Sequence, residues 1–145
     1  MDGDDHGSMV LLTRLAKVVY RRTPEELLGM RLRLFVTLVY LRDHDGATQQ
    51  ELGEVLCMDA NNLVLLLNEL EGAGCARRLR DPDDRRRHLV ELTDGGRTAL
   101  ERGELAMESV EDDVLGALAP DERATLRGLL ARALAGVSEA PAAVV

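Results

Sequence analysis

The sequence predicts a mostly α fold that carries one small β-hairpin. Three observations predict it. Apolar residues recur at intervals of three and four in segments that cover most of the chain. Two short helical segments, 48–56 and 60–71, are separated only by Cys57-Met58-Asp59. Directly after them, basic strands at 77–80 and 87–93 flank the turn-forming run Asp81-Pro82-Asp83-Asp84.

Taken in order, residues 1–8 are rich in Asp and Gly and are expected to fray. Val10–Tyr20 carries apolar residues at 11, 12, 15, 18 and 19, which is helical spacing. Pro24 marks a break or a new helix start. A second helix is expected over Leu27–Leu41. Its part from Leu34 to Leu41 is apolar almost all round and should be central and buried. Asp43-His44-Asp45-Gly46 ends it. Thr48-Gln49-Gln50-Glu51 reads as a capping box, in which the Thr hydroxyl caps an N–H three residues on and Glu reaches back. Leu52, Val55 and Leu56 are expected on the inner face of the short helix that follows. Leu63, Leu66, Leu67 and Leu70 lie at core spacing on the next, which Gly72-Ala73-Gly74 terminates.

In the hairpin, Leu79, Leu89 and Leu92 are expected to face inward. Thr93-Asp94-Gly95-Gly96 is expected to lead out of it into a long helix. There Leu100, Gly103, Met107, Val110, Val114 and Leu118 form a stripe suited to a partner helix. Ala119-Pro120-Asp121-Glu122 starts the last helix, with Pro in the first turn and acids at its positive end. That helix carries Leu126, Leu129, Leu130, Ala133 and Leu134, and residues 138–145 read as a loose tail. There is no internal repeat.

A chain of 145 residues suits one domain, or one core with helical extensions. Apolar residues make up 46%, but aromatics only 2% (Phe35, Tyr20 and Tyr40), so single-stranded bases find no stacking platform. Six Arg against three Asp give residues 77–88 a charge of +3, while the whole chain is −8 and the remainder therefore −11. Basic charge gathered on one hairpin of an acidic chain points to a polyanion contact. Cys57 and Cys75 form no CxxC and no disulfide framework, no apolar leader opens the chain, and Leu34–Leu41 is too short to span a bilayer. A cytoplasmic protein with no membrane partner is the expectation. His6, His44 and His88 are scattered, so no metal site is expected. No Ser-His-Asp set and no phosphate-cradling Gly loop is present, so neither an enzyme nor a cofactor is expected.

Two short helices joined by a tight turn, then a basic hairpin, make a helix-turn-helix with a wing. The spacing Asp84-x-Arg86-x5-Leu92-Thr93-x2-Gly96 resembles the wing of MarR-family winged-helix transcription regulators, and the order of parts is similar from about Leu11 to Leu134. The resemblance implies a homodimer in which the first helix and the last two pair across a two-fold axis. It implies that residues 60–71 form the recognition helix in the major groove and that the wing reaches the minor groove. Arg86 would then be the inserted side chain and Asp84 the residue that orients it. Arg77, Arg78, Arg80, Arg85, Arg87 and His88 would lie along phosphates.

The matching domain plan is a flexible terminus (1–8), N-terminal helices for dimerisation and lobe support (9–45), a winged helix-turn-helix DNA-binding lobe (46–96), C-terminal dimerisation helices (97–137) and a tail (138–145). The recognition helix departs from the family pattern. Many members carry Thr then Arg where this chain has Val64 and Leu65. Asn61, Asn62 and Asn68 remain as polar readers, with Asn suited to adenine and Leu65 or Val64 to thymine methyls, which favours an A/T-leaning site. Asn61 or Asn62 is equally suited to capping the helix.

Family members often bind small aromatic or phenolic effectors between the dimer helices and the DNA lobes. The corresponding lining here is Leu15, Tyr20, Phe35, Tyr40 and Met107, although all five also suit an ordinary core. Neither cysteine is expected in an electropositive pocket, so no redox role is expected. The function expected is a dimeric, sequence-specific regulator of transcription on double-stranded, pseudo-palindromic DNA, a repressor released by a small effector. The alternative is a winged-helix interaction module for an acidic protein partner.

Overall fold

The computed structural model describes residues 6–139. Seven helices, α1 (Ser8–Arg22), α2 (Glu25–Leu28), α3 (Leu32–Asp43), α4 (Gln49–Val55), α5 (Ala60–Gly72), α6 (Asp94–Val114) and α7 (Pro120–Glu139), accompany strands β1 (Ala47–Thr48), β2 (Ala76–Arg80) and β3 (His88–Leu92) among the described residues. The fold is therefore mostly α with a small hairpin, as the sequence predicts. The chain divides into two compact units, residues 1–110 and 111–145.

In the first unit the core is aliphatic. Leu38 and Leu41 on α3, Leu52 on α4, and Leu63, Leu66, Leu67 and Leu70 on α5 are all buried, and Leu100 of α6 joins them. Each such leucine contributes about 1.5–3 kcal/mol of transfer free energy. Leu100 and Gly103 therefore pack within this chain, Gly103 against the Phe35 ring and Leu28, so the first half of the α6 stripe serves the chain's own core.

The single helix expected over Leu27–Leu41 is two. Gly29 closes α2 in the left-handed region, φ 86°, and α3 starts only at Leu32. Thr48 caps α4 as expected, its Oγ1 accepting from the Glu51 N–H at 3.0 Å. Glu51 does not complete the box. Its Oε2 accepts instead from the Tyr40 hydroxyl at 2.6 Å, which ties α4 to α3. Burial, followed by this bond, pushes the Tyr40 hydroxyl pKa up to about 12. Val55, expected inward, lies exposed at the end of α4.

The sheet is antiparallel in the order β1-β3-β2, and its inward face matches the expected one only at Leu92. Val90 and Leu92 of β3 and Ala76 of β2 are buried. Leu79 sits opposite Leu89 on the other face and is exposed, with Leu89 half-buried. Leu89 and Leu92 are an odd number of residues apart, so they cannot share a face of one strand. The sequence reading also missed β1, which pairs Ala47 with Val90 and makes Val90 the centre of the sheet.

Gly95 and Gly96 lie inside the first turn of α6 rather than in a loop before it. Thr93 Oγ1 accepts from the Gly96 N–H at 3.0 Å and donates to the Gly74 carbonyl at 2.6 Å. A Cβ on Gly96 would lie 2.1 Å from the Cys75 carbonyl oxygen.

In the second unit, Arg123 of α7 closes the turn before its own helix. Its Nε donates to the Leu115 and Leu118 carbonyls at 3.1 and 3.2 Å, and its Nη1 to Asp112 Oδ1 at 2.7 Å. The Ala119 N–H donates to Glu122 Oε1 at 2.8 Å, so the expected start of α7 is present. α7 runs to Glu139, two residues into the segment expected to be a tail; residues 140–145 and 1–5 lie outside the described residues.

The glycine contacts give a paired prediction. Gly96→Ala should lower stability by about 2–3 kcal/mol, because backbone rather than a flexible side chain must move. Gly128→Ala, with nothing within 4 Å on α7, should leave stability unchanged or raise it by roughly 0.5–1 kcal/mol. Urea unfolding of both variants checks this; equal effects would contradict the packing described.

Candidate nucleic-acid interface

α5 presents two faces. Its leucines at 63, 66, 67 and 70 point into the core, which leaves Asn61, Asn62, Leu65, Asn68 and Glu69 outward. Asp59, not an asparagine, caps the helix, its Oδ1 accepting from the Asn62 N–H at 2.8 Å. The sequence carries this signal as an Asp three residues before the donor. The Asn62 amide donates to the other Asp59 oxygen at 2.8 Å. Asn68 Oδ1 accepts from Arg78 Nη2 at 2.5 Å.

The wing loop is built from its own backbone and aspartates. The Asp81 N–H donates to the Arg87 carbonyl at 3.0 Å, and the Arg87 N–H to the Asp84 carbonyl at 2.9 Å. Asp81, buried, accepts from the Asp83 N–H at 2.9 Å through Oδ1, and its Oδ2 lies 3.8 Å from Arg87 Nε. Arg80 Nη1 reaches across to the Arg85 carbonyl at 3.0 Å. Asp81 thus anchors the loop as well as forming its turn, a role that no local sequence pattern marks.

On that frame Asp84 Oδ1 accepts from both the backbone N–H and Nε of Arg86, each at 3.1 Å, and Oδ2 lies 3.5 Å from Nη2. The Arg86 side chain is 91% exposed. Its guanidinium, and after that its N–H, hold the Asp84 carboxyl below the usual carboxylate range.

The other wing cations are placed differently. Arg77 Nε donates to Glu91 Oε1 at 2.7 Å, its directly opposed neighbour across the hairpin. Arg78 is turned back: Nε donates to Glu71 Oε1 at 2.6 Å, and only 24% of the side chain is exposed. Arg85 makes no ion pair among the described residues, and Arg85, Arg87 and His88 are exposed.

Of Leu15, Tyr20, Phe35, Tyr40 and Met107, three belong to or pack against the core cluster, Phe35, Tyr40 and Met107. Phe35 is in the core against Gly103, Tyr20 is exposed on α1, and Tyr40 bonds Glu51 while its ring stacks on His44 at 3.8 Å. Leu15 and Met107 are half-buried, and Met107 packs on the core.

A cleft of about 760 Å³ instead lies between α4, the start of α5 and the wing, lined among others by Gln50, Cys57, Met58, Leu63, Arg86 and His88. Cys57 is exposed in the helix-turn-helix turn at φ 55°. Cys57 lines this cleft together with Glu54 from α4 and Arg86, Arg87 and His88 from the wing. Cys75 is buried, and burial pushes its thiol up. Among the described residues no His, Cys, Asp or Glu cluster could hold a metal ion, and no helix is long and apolar enough to cross a membrane.

The family model described as "MarR family" matches residues 31–88, which run from the start of α3 to the wing. A protein of Thauera aromatica named as a transcriptional regulatory protein for the hcr operon is 34% identical over 125 residues, 86% of this chain and 75% of that one. The multiple antibiotic resistance protein MarR of Escherichia coli is 35% identical over 101 residues, 69% of this chain and 70% of that one. The chain belongs to the MarR family. A crystal structure of an Escherichia coli MarR mutant complexed with operator DNA has a TM-score of 0.71 and 31% identity, over 87% of this chain and 92% of that one. Three other relatives, named as HTH-type transcriptional regulators or repressors, are longer, and the chain spans 61%, 58% and 60% of them. These relatives are transcription regulators, not enzymes, as the sequence reading expected of this MarR-family chain.

The pairing at the wing tip predicts a titration. Asp84 should titrate below the ordinary carboxylate range in carboxyl NMR, and Arg86→Ala should move it up towards that range. An Asp84 titration unchanged by the substitution would mean that the pair does not form in solution.

Proposed function

We propose that this chain is a dimeric, sequence-specific regulator that binds double-stranded, pseudo-palindromic DNA in the cytoplasm and represses transcription. The Asp84–Arg86 pair carries the proposal. A planar guanidinium, held by a carboxylate on a rigid loop and 91% exposed, suits a narrow, electronegative minor groove. α5 is the recognition helix in this reading, and Arg80, Arg85, Arg87 and His88 run along phosphates. The dimer accounts for apolar side chains that lie exposed, Met9, Leu11 and Leu12 on α1 and Leu130 and Leu134 on α7. A dimer seated across a promoter blocks transcription with no further activity, so repression is the sign proposed.

Release by a small aromatic or phenolic effector is the finest part of the proposal. In this reading the ligand occupies a site between the dimer helices and the DNA-binding lobe, beside Leu15, Tyr20, Phe35, Tyr40 and Met107. It acts only through a difference in affinity between the free and DNA-bound forms. Calorimetry with small aromatic acids, on free protein and on the DNA complex, tests it; equal affinities would remove effector control.

Asp84→Ala separates positioning from bulk charge. Removing a negative charge should tighten DNA binding if charge alone matters. If Asp84 orients Arg86, the variant should bind operator several-fold more weakly at fixed salt, and Arg86→Ala should weaken binding as well. Tighter binding by Asp84→Ala would remove the orienting role. Sedimentation of the wild type at micromolar concentration should give a dimer, and a monomer that still binds DNA would contradict the assembly.

A further inference from the structure

We propose that Leu65 reads the 5-methyl group of a thymine in the major groove, and that this apolar contact, rather than an asparagine hydrogen bond, carries most of the base specificity of α5. The proposal rests on the DNA-binding reading above and names what that site recognises.

The outward row of α5 supports it residue by residue. Leu65 leaves 66% of its surface exposed, while the other four leucines of the helix are almost wholly buried. Three of its four polar neighbours are engaged inside the protein. The Asn62 amide is held by Asp59, Asn68 accepts from Arg78, and Glu69 receives both Nε and Nη2 of Arg31. Asn61, one turn before Leu65, alone among the asparagines of α5 has no side-chain partner among the described residues.

Charge points the same way. α5 contains no Lys or Arg, so it offers nothing to pair bidentately with guanine. Its two carboxylates are neutralised by arginines from elsewhere, Glu69 by Arg31 and Glu71 by Arg78. The helix thus approaches DNA close to electrically neutral, with an apolar side chain foremost. Of the four bases only thymine presents a methyl group in the major groove. Opposite guanine or cytosine, Leu65 would strip water from polar base edges and return no hydrogen bond, so those pairs are disfavoured.

The test uses the full-length protein and an operator selected from random duplex DNA. Each thymine is replaced in turn by deoxyuridine, which removes the methyl and keeps the pairing. One position per half-site should lose affinity, roughly fourfold per methyl and about fifteenfold when both half-sites are changed. Leu65→Ala, a surface change, should bind thymine and deoxyuridine duplexes equally. Placing 5-methylcytosine rather than cytosine at that position should recover part of the loss in the wild type only. A preferred duplex in which every deoxyuridine is neutral, or in which Leu65→Ala keeps the sensitivity, overturns the assignment while leaving the regulator reading intact. Failure to select any preferred duplex overturns both.

Discussion

The first unit depends on one close crossing, where residues 93–96 pass over residues 74–75. The Thr93 hydroxyl bonds the Gly74 carbonyl and caps α6, the Thr93 N–H bonds the Cys75 carbonyl, and only a residue without a Cβ fits at 96. The end of α5, the start of β2, the end of β3 and the start of α6 all meet there. The angle at which the wing leaves α5 is set at that point by backbone, before any charged side chain contributes. α5 and the wing are thus held by the same few atoms.

The electrostatics are arranged around that frame. The chain is acidic overall, yet its wing carries six arginines. Several are restrained rather than free: Arg77 by Glu91, Arg78 by Glu71 and Asn68, Arg86 by Asp84. Exposed pairs of this kind add little to stability. Their effect is to fix where each guanidinium points, at some loss of net attraction to a polyanion. Arg78 serves a different end, joining β2 to α5 and neutralising Glu71, so the count of basic residues overstates the number available to phosphate.

Much of this was legible in the sequence. Helical spacing located the leucines of α3 and α5, and the Thr48 cap and the Pro120 start followed from local chemistry. Asp84 and Arg86 were identified by spacing and do lie within hydrogen-bond distance. What was missed required a partner element. The inward face of the hairpin is decided by β1 pairing with Val90, which no local pattern reveals. Glu51 abandons its capping bond because Tyr40, on another helix, competes for it. The break at Gly29 was hidden because Leu27 and Leu28 continue an apolar rhythm across it. The cleft that Cys57 shares with the wing and the return of Arg78 to α5 exist only once the wing has folded against the helices.

The central claim is that a carboxylate-held Arg86 enters the minor groove. Replacing adenine by 2,6-diaminopurine beside each half-site adds an amino group to the minor-groove floor, keeps pairing with thymine and leaves the major-groove edge unchanged. The account predicts that wild-type protein binds such a duplex more weakly than the unmodified one, and that Arg86→Ala binds the two alike. Equal loss of affinity in both proteins, or no loss in the wild type, would contradict it.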